Sequence, residues 1–549
     1  MEQIRQPSTS ASSPMQIFTR PKSRGKRQRE SKTPPSPPSP PSPPAAFNNF
    51  DFAIPIPDAK RAKKKFNSRR HKVCVVTAKG CDKVVPSRAA QQATFDTIDA
   101  YGLFREGVRR VNPQMSPRTK MEEFHTKKFV ATLETLETLN ASMEKEHGLV
   151  PRNWFHGGWK YCQIVTGATL VATNELLSGT ATLAINYMGG KSRALPNSAT
   201  GDAYINDTAL ALFGLRKRFQ RIAVIDLSAT HPQSLQDAFY FSGNVFTVSI
   251  HRYEKERKKK KQTAEMVEEE EEEEEEEEMD HQHVLTNATT TTTYGTGRRK
   301  EKGAEGEGRH TNLNVNMSTG ANDENLMSVG KIFFFEAVYS RHRSYYYFRD
   351  LLKRNLTFFF FFSVREIAKG LSEDYRPDCV VLTIGTSGIM GGRAKLQYTP
   401  LGMSEAVEHL LKVLDVPTLL LGGDDEWSSS NGDGGKATCG KHARMWTLIV
   451  DAAVNATKGL ISTLPNEIPD EDNESWRLMG PSFELRERVE EGVVEVVGGA
   501  GCVEGSVEGS STENYMDMER KITGIHERFR KYRRCHEDLL KSGEPLECP

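Results

Sequence analysis

The sequence has few cysteines, and their spacing argues against the small frameworks that depend on them. Eight cysteines are scattered over 549 residues, and no two of them form a Cys-x-x-Cys pair. A disulfide framework or a zinc finger needs cysteines that are clustered or regularly spaced. We therefore expect free thiols and a reducing compartment.

The sequence also lacks long apolar stretches. Hydrophobic residues make up 37% of the chain, which is below the globular average, and the deficit lies in polar low-complexity segments. No run is apolar and long enough to cross a bilayer, and the N-terminus lacks the apolar core of a secretory signal peptide. These absences predict a soluble, intracellular protein that does not act at a membrane. The formal net charge of +1 hides blocks of opposite sign, so it does not identify partners.

Residues 1–72 are predicted to form a disordered tail. Serine recurs between prolines along Pro34–Pro44, which favours polyproline II and prevents helix and sheet. Two basic clusters, Lys22–Arg29 and Lys60–Lys72, follow the pattern of nuclear-import signals. A solvated charged linker is the alternative interpretation. We favour nuclear import because two clusters flank one disordered segment.

From Val73 onward, short β-branched apolar runs alternate with longer amphipathic segments. Nearly continuous apolar character is typical of strands buried on both faces of a parallel sheet, and the alternation predicts a doubly wound α/β domain. This domain is predicted to occupy residues 73–253, 309–329 and 363–541, before a short tail at 542–549. The predicted strands are Cys74–Ala78, Leu183–Tyr187, Ile222–Leu227, Val245–His251, Leu313–Met317, Cys379–Gly385 and Thr418–Gly423. The predicted helices include Asp207–Phe219, Ser404–Leu414 and Asp517–Leu540.

Two predicted insertions interrupt the domain. Residues 254–308 contain a lysine run and the acidic run Glu268–Glu278, so we interpret them as a disordered spacer, with binding of basic partners such as histones as the alternative. Residues 330–362 begin Gly-Lys-Ile-Phe-Phe-Phe and end with Phe358–Phe362. We interpret this segment as a translated intron, and the alternative is a genuine aromatic-rich insertion that would expose an apolar patch.

The order of several short motifs resembles the class I histone deacetylases. The motifs are Phe124–Thr126, Ala184–Gly190, Gly201–Asp207, Arg221–Asp226, Asp237–Tyr240, Val245–His251, Asp378–Gly385, Tyr398–Gly402, Leu419–Gly423 and Ala443–Thr447. The resemblance implies an arginase/deacetylase-type α/β fold with a central parallel sheet flanked by helices. It also implies one zinc ion at the carboxyl ends of the strands, held by two aspartates and a histidine. Paired histidines and a tyrosine complete that family's catalytic machinery.

In this sequence the positions that the resemblance assigns to zinc hold hydroxyl residues. The first zinc aspartate falls on Ser228, the zinc histidine on Thr230, and the second zinc aspartate on Ser387. A neutral hydroxyl is a poor zinc ligand beside carboxylate and imidazole. Neighbouring Asp226 and His231 are retained. A metal site rebuilt from these two and from Asp424 and Asp425 is the alternative, which we disfavour because adjacent strand side chains point to different faces.

The positions for proton transfer are replaced as well. The paired histidines fall on Ser192 and Arg193, and the tyrosine falls on Glu426, whose carboxylate would repel an oxyanion. A phenylalanine of the family's tunnel wall becomes Asp202. Lys191 and Arg193 could make the pocket a site for an anion or an acidic peptide. We favour the other interpretation, that both pair with Asp202 and with Asp424–Glu426, because unpaired buried charges are costly.

These replacements predict a catalytically inactive deacetylase-like protein that serves as a binding or scaffold module in the nucleus. No cofactor is expected, although active members of the family need zinc. The expected partners are nuclear proteins, including histones or a chromatin complex, and no nucleic-acid motif is present. The alternative from the resemblance is an active zinc-dependent lysine deacetylase. A third hypothesis is the product of a decaying gene that does not fold stably.

The basic clusters give a first testable prediction. A fluorescently tagged chain lacking residues 1–72 should keep a folded core but spread into the cytoplasm, because both clusters are removed. Microscopy of live cells measures the nuclear fraction, and alanine replacement of Lys63, Lys64 and Lys65 in the full chain is the matched control. Unchanged nuclear retention of the truncated chain would mean that a partner imports it.

Overall fold

The structure of this protein is a computed structural model. Its central feature is a sheet of eight parallel strands. All described residues lie in one compact unit, Ile56–Glu544. The structure describes residues 72–77, 88–104, 108–136, 146–149, 154–253, 310–317, 363–389, 392, 394–423, 433–458, 464–470, 473, 475–486, 522–535 and 537. The predicted tail up to residue 71, both predicted insertions and residues 542–549 lie outside these ranges.

The strands form one sheet with the order β2-β1-β3-β8-β7-β4-β5-β6, and every neighbouring pair is parallel. All residues of β1, β3, β4, β7 and β8 are buried, as expected for a sheet covered on both faces. The seven predicted strands and the α/β class are confirmed. The bounds are β1 Val73–Val76, β2 Val108–Val111, β3 Leu183–Asn186, β4 Ile222–Asp226, β5 Val245–Arg252, β6 Asn312–Met317, β7 Cys379–Ile384 and β8 Thr418–Gly422.

The additional strand, β2, lies at an edge of the sheet and pairs with β1. Its sequence is Val-Arg-Arg-Val, and both arginines are exposed. The Arg110 guanidinium lies 4.7 Å from the centre of the Phe95 ring, which is a cation–π contact. Charged residues commonly protect edge strands from pairing with other chains, and they also hide β2 from a search for apolar runs.

The helices begin at residues that cap them. The Asn206 side chain accepts a hydrogen bond from the backbone N–H of Ala209, and Thr399 accepts one from Gly402. Pro400 then occupies the first turn of α8, where it is tolerated because no donor is needed. The helices are α1 Arg88–Ala100, α2 Arg118–Met121, α3 Lys127–Thr135, α4 Gly158–Ser178, α5 Asp207–Leu215, α6 Gln233–Ala238, α7 Ser363–Gly370, α8 Pro400–Leu414, α9 Asp433–Lys458 and α10 at 522–535.

The predicted helices exist, but their ends differ from the sequence-based bounds. Helix α5 ends at Leu215 instead of the predicted Phe219, and α8 begins four residues before the predicted start at Ser404. Helix α10 lies within the predicted range Asp517–Leu540. None of the helices in the described ranges is long and apolar enough to cross a membrane. Large apolar side chains from the strands and the helices form one continuous core around the sheet.

A glycine after β3 gives a test of how tightly the sheet is packed at its carboxyl edge. Gly190 has a φ of +85°, and a Cβ there would overlap the carbonyl oxygen of Gly422. We expect Gly190→Ala to lower the free energy of unfolding by at least ~3 kcal/mol, because a left-handed backbone and a clash add. Gly102→Ala is the matched control: its φ is +71° but nothing lies within 4 Å, so it should lose about 1–2 kcal/mol. Equal losses in urea denaturation would contradict the packing.

Candidate functional site

A small pocket lies where the chain leaves strands β3, β4 and β8. Ligands in open α/β sheets bind at the carboxyl ends of the strands, so this is the expected position for a site. The remaining volume is about 10 Å³, which is about the space for one water molecule. The residues that line the pocket are Gly190, Lys191, Ser192, Arg193, Ala203, Ser228, Thr230 and Gly423.

The pocket is narrow because three segments of backbone approach one another closely. Asp226 of β4 is paired with Thr383 of β7, so the segments that follow these strands run side by side. A Cβ on Gly423 would overlap the hydroxyl of Ser228 and would lie 2.9 Å from the backbone nitrogen of Gly385. Only glycine therefore fits at the exit of β8.

Two cationic side chains share one carboxylate at the pocket. The Lys191 ammonium donates hydrogen bonds to Asp202 Oδ2 at 3.2 Å and to the carbonyl oxygen of Gly423 at 3.0 Å. The Arg193 guanidinium donates to Asp202 Oδ1 at 3.0 Å. The exposed fraction is 4% for the Lys191 side chain, 15% for Arg193 and 26% for Asp202. The favoured pairing with Asp202 is confirmed, while Asp424–Glu426 lie outside the described residues.

The charges in this cluster determine the ionisation of Asp202. Burial alone raises the pKa of a carboxyl group, but Lys191 and Arg193 outweigh it, and the pKa of Asp202 is lowered. Asp202 is therefore ionised at neutral pH. The cluster is a salt bridge in which one carboxylate bridges two cations, and it holds the Lys191 ammonium inside the pocket.

A second buried carboxylate lies beneath the pocket. Ser192 Oγ donates to Asp226 Oδ2 at 3.2 Å, and the Ser228 backbone N–H donates to Asp226 Oδ1 at 2.8 Å. Burial raises the pKa of Asp226 to about 6, against the hydrogen bonds from Ser228 and Ser192 that lower it. Both carboxylate oxygens are already bonded to the chain, so Asp226 serves here to hold Ser192 and Ser228 in place.

The loop that carries Lys191 and Arg193 is fixed by the start of α5. Asp207 accepts hydrogen bonds from the backbone N–H groups of Gly190 at 2.9 Å and Lys191 at 2.7 Å. The Asn206 amide donates to the carbonyl oxygen of Ser192 at 2.9 Å. Sequence motifs pointed to the segment Gly201–Asp207, but they did not show that it anchors the pocket loop. The sequence signal that could have indicated this anchoring role was the pair Asn206-Asp207 at a predicted helix start, because both side chains can bond to neighbouring backbone.

The other predicted site residues lie in different surroundings. His231 is buried outside the pocket lining, and its Nε2 lies 2.8 Å from Gln236 Oε1, with its ring 4.8 Å from that of His251. Ser387 is buried in the turn Thr386–Gly388 after β7 and does not line the pocket. Glu426 lies outside the described residues. The structure thus brings Ser192, Arg193, Ser228 and Thr230 together, and it leaves the predicted roles of all these positions as predictions.

The side chains around the pocket do not fit a zinc ion. Ser192, Ser228, Thr230 and Lys191 line the pocket, whereas zinc prefers thiolate, imidazole and carboxylate ligands. Within the described ranges, no three histidine, cysteine, aspartate or glutamate side chains are grouped closely enough to hold a metal ion. The pocket is therefore a polar one that already contains a cationic side chain, Lys191.

Comparison with known proteins identifies the class to which this fold belongs. A family model described as the histone deacetylase domain matches residues 85–424, which is more than half of the chain. The chain therefore belongs to the histone deacetylase family.

Individual relatives match over a shorter region. Histone deacetylase 8 of Xenopus tropicalis is 36% identical over 182 residues, covering 32% of this chain and 48% of the relative. The same protein of Danio rerio is 31% identical over 179 residues, covering 32% and 47%. Human histone deacetylase 1 is 28% identical over 165 residues, covering 29% and 34%. The chain thus spans about half or less of the length of these relatives.

The buried Asp226 carboxyl predicts a pH-dependent effect on stability. Its folded-state pKa of about 6 exceeds the ordinary value of 3.8, so its ionisation destabilises the fold as pH rises from about 4 to 6. We expect Asp226→Asn to remove this loss, so that its stability relative to the unmodified chain rises by ~3 kcal/mol over that window and then stays constant. Urea denaturation at pH 4, 5, 6 and 7 measures the difference, and a pH-independent difference would contradict this interpretation.

Proposed function

We propose that this chain is a histone deacetylase-like protein without deacetylase activity, which acts as a chromatin-associated binding or scaffold module in the nucleus. The observation that carries the proposal is the position of the Lys191 ammonium. It lies in the pocket at the strand ends, held by Asp202 and Gly423, with Ser228 and Thr230 in the wall.

The chemistry of the pocket argues against zinc. A catalytic zinc site uses three protein ligands and keeps one position for water or substrate. Here two of the three positions assigned by resemblance are hydroxyls that line the pocket, and the third is Ser387. A second cation about 4 Å from the Lys191 ammonium would be repelled by ~4 kcal/mol per unit charge at an effective dielectric constant of 20. Neutral ligands do not offset that repulsion.

Proton transfer is lost independently of the metal. Arg193 stays protonated at any physiological pH, and it is bound to Asp202. Ser192 cannot act as a base near neutral pH, because a hydroxyl has no lone pair basic enough. General acid–base catalysis contributes roughly 100- to 10,000-fold to such reactions. Its loss would leave hydrolysis of an amide extremely slow even if a metal were bound.

A binding role is consistent with what the chain retains. The eight-stranded sheet, its helices and its core are intact around the altered pocket, so a surface inherited from the family can persist without catalysis. The matched relatives are named histone deacetylases, which supports histones or a chromatin complex as partners. The basic clusters in residues 1–72 support nuclear localisation.

Two other hypotheses compete with this one. An active zinc-dependent lysine deacetylase is supported by family membership, which is an analogy at the level of the fold. The product of a decaying gene is supported by the phenylalanine-rich segment 330–362. Sequencing of transcripts across residues 330–362 tests the latter.

Zinc content and turnover test the proposal directly. The purified full chain should contain no stoichiometric zinc by elemental analysis and should not release acetate from acetyl-lysine peptides, with histone deacetylase 8 assayed in parallel. The variant Ser228→Asp, Thr230→His, Ser387→Asp should bind more zinc than the unmodified chain but stay inactive, because Ser192 and Arg193 remain. Zinc-dependent turnover by the unmodified chain would establish the deacetylase alternative instead.

A further inference from the structure

A lysine is seldom buried, and Lys191 is almost completely buried. Its side chain is 4% exposed, whereas lysines are rarely enclosed unless their charge is paired. Its ammonium donates hydrogen bonds to a carboxylate oxygen of Asp202 and to the main-chain oxygen of Gly423, both at the pocket. An ammonium group has three donors, so these two contacts define a directed site.

We propose that the pocket is a binding site for a primary alkylammonium group and that Lys191 is its resident ligand. The side chain closes the pocket from within, and the remaining volume of about 10 Å³ accommodates a single water molecule. An acylated lysine has no ammonium charge to pair with Asp202. The inference that acyl-lysine does not bind in this pocket rests on the proposed function. The inference of an ammonium site does not rest on it.

The backbone around Lys191 is built to place its side chain there. The Lys191 N–H is bound to Asp207 Oδ1 at 2.7 Å, and the preceding Gly190 has a φ of +85° in contact with Gly422. Gly422 ends β8 and Gly423 follows it. The same chain segment therefore packs against the backbone before Lys191 and supplies the carbonyl oxygen that accepts a hydrogen bond from the Lys191 ammonium.

Arg193 shapes the selectivity of this site. It occupies Asp202 Oδ1, which leaves Oδ2 for the ammonium. A planar guanidinium or a quaternary ammonium cannot make the same pair of contacts, because the first needs a wider fork and the second has no N–H donor. The geometry thus selects a compact primary ammonium at the end of an alkyl chain.

Chemical rescue tests the site in the full-length protein. Lys191→Ala removes the atoms of one n-propylammonium ion, and Lys412→Ala is the matched control because Lys412 is 45% exposed and pairs with Glu408. We expect n-propylammonium chloride to stabilise Lys191→Ala, raising its folding equilibrium constant about tenfold at ten times the dissociation constant. The unmodified chain and Lys412→Ala should not respond. Equal concentrations of n-propanol or tetramethylammonium chloride should give no rescue.

A measurement on the unmodified chain covers the case in which Lys191→Ala does not fold. The native protein is treated with a small amine-acylating reagent, and the modified peptides are quantified by mass spectrometry. Lys191 should react at least roughly tenfold more slowly than Lys412, because its ammonium becomes accessible only through local opening. Comparable labelling of the two lysines, or equal effects of propylammonium and propanol on Lys191→Ala, would overturn the ammonium site.

The outcomes separate this inference from the proposed function. Rapid labelling of Lys191 in a chain that lacks zinc and turnover would reject the ammonium site and leave the inactive-deacetylase proposal standing. Zinc-dependent turnover together with slow labelling and specific rescue would reject the proposed function and leave the ammonium site standing.

Discussion

The pocket depends on the close approach of the chain segments that leave four neighbouring strands, β3, β8, β7 and β4. Gly190 and Gly423 permit this approach, because a Cβ on either residue would overlap the facing segment. Parallel pairing directs the ends of β3, β8, β7 and β4 to one edge of the sheet. With the backbones so close, each side chain at this edge faces its neighbours across very little space, and charges there must be paired within the chain.

Three aspartates show how differently such a site treats the same group. Asp202 lies beside two cations, and its pKa is lowered despite burial. Burial raises the pKa of Asp207 and of Asp226, because neither has an adjacent cation strong enough to offset desolvation. Backbone N–H groups and hydroxyls satisfy these two carboxyls instead. The ammonium of Lys191 is thus directed to Asp202, the carboxylate that the Arg193 guanidinium also binds.

Much of this arrangement could be predicted from the sequence, for physical reasons that differ between fold and site. Apolar β-branched runs identified seven strands, because buried parallel strands are apolar on both faces, while the arginines of β2 concealed the eighth. Motif order placed Ser228 and Thr230 at strand ends, and both line the pocket. The pairing of Lys191 with Asp202, 11 residues away, was predicted from their charges. The hydrogen bond from Lys191 to the carbonyl oxygen of Gly423 was not predicted, because Gly423 lies 232 residues away and the bond depends on the fold.

The replacement of ligands and the presence of Lys191 are coupled through charge. Two carboxylate ligands at an empty pocket would repel each other and would need a cation. Three hydroxyls carry no charge, so they need no metal ion beside them. The Asp202 carboxylate instead bridges the Lys191 ammonium and the Arg193 guanidinium, and burial of paired charges is tolerated where burial of a lone charge is not. Reintroducing one aspartate at position 228 would place a further carboxylate in the wall of the pocket that Lys191 and Arg193 also line. Restored ligands would therefore bind zinc only in competition with Lys191, because the resident cation and a metal ion are attracted to the same negative charge.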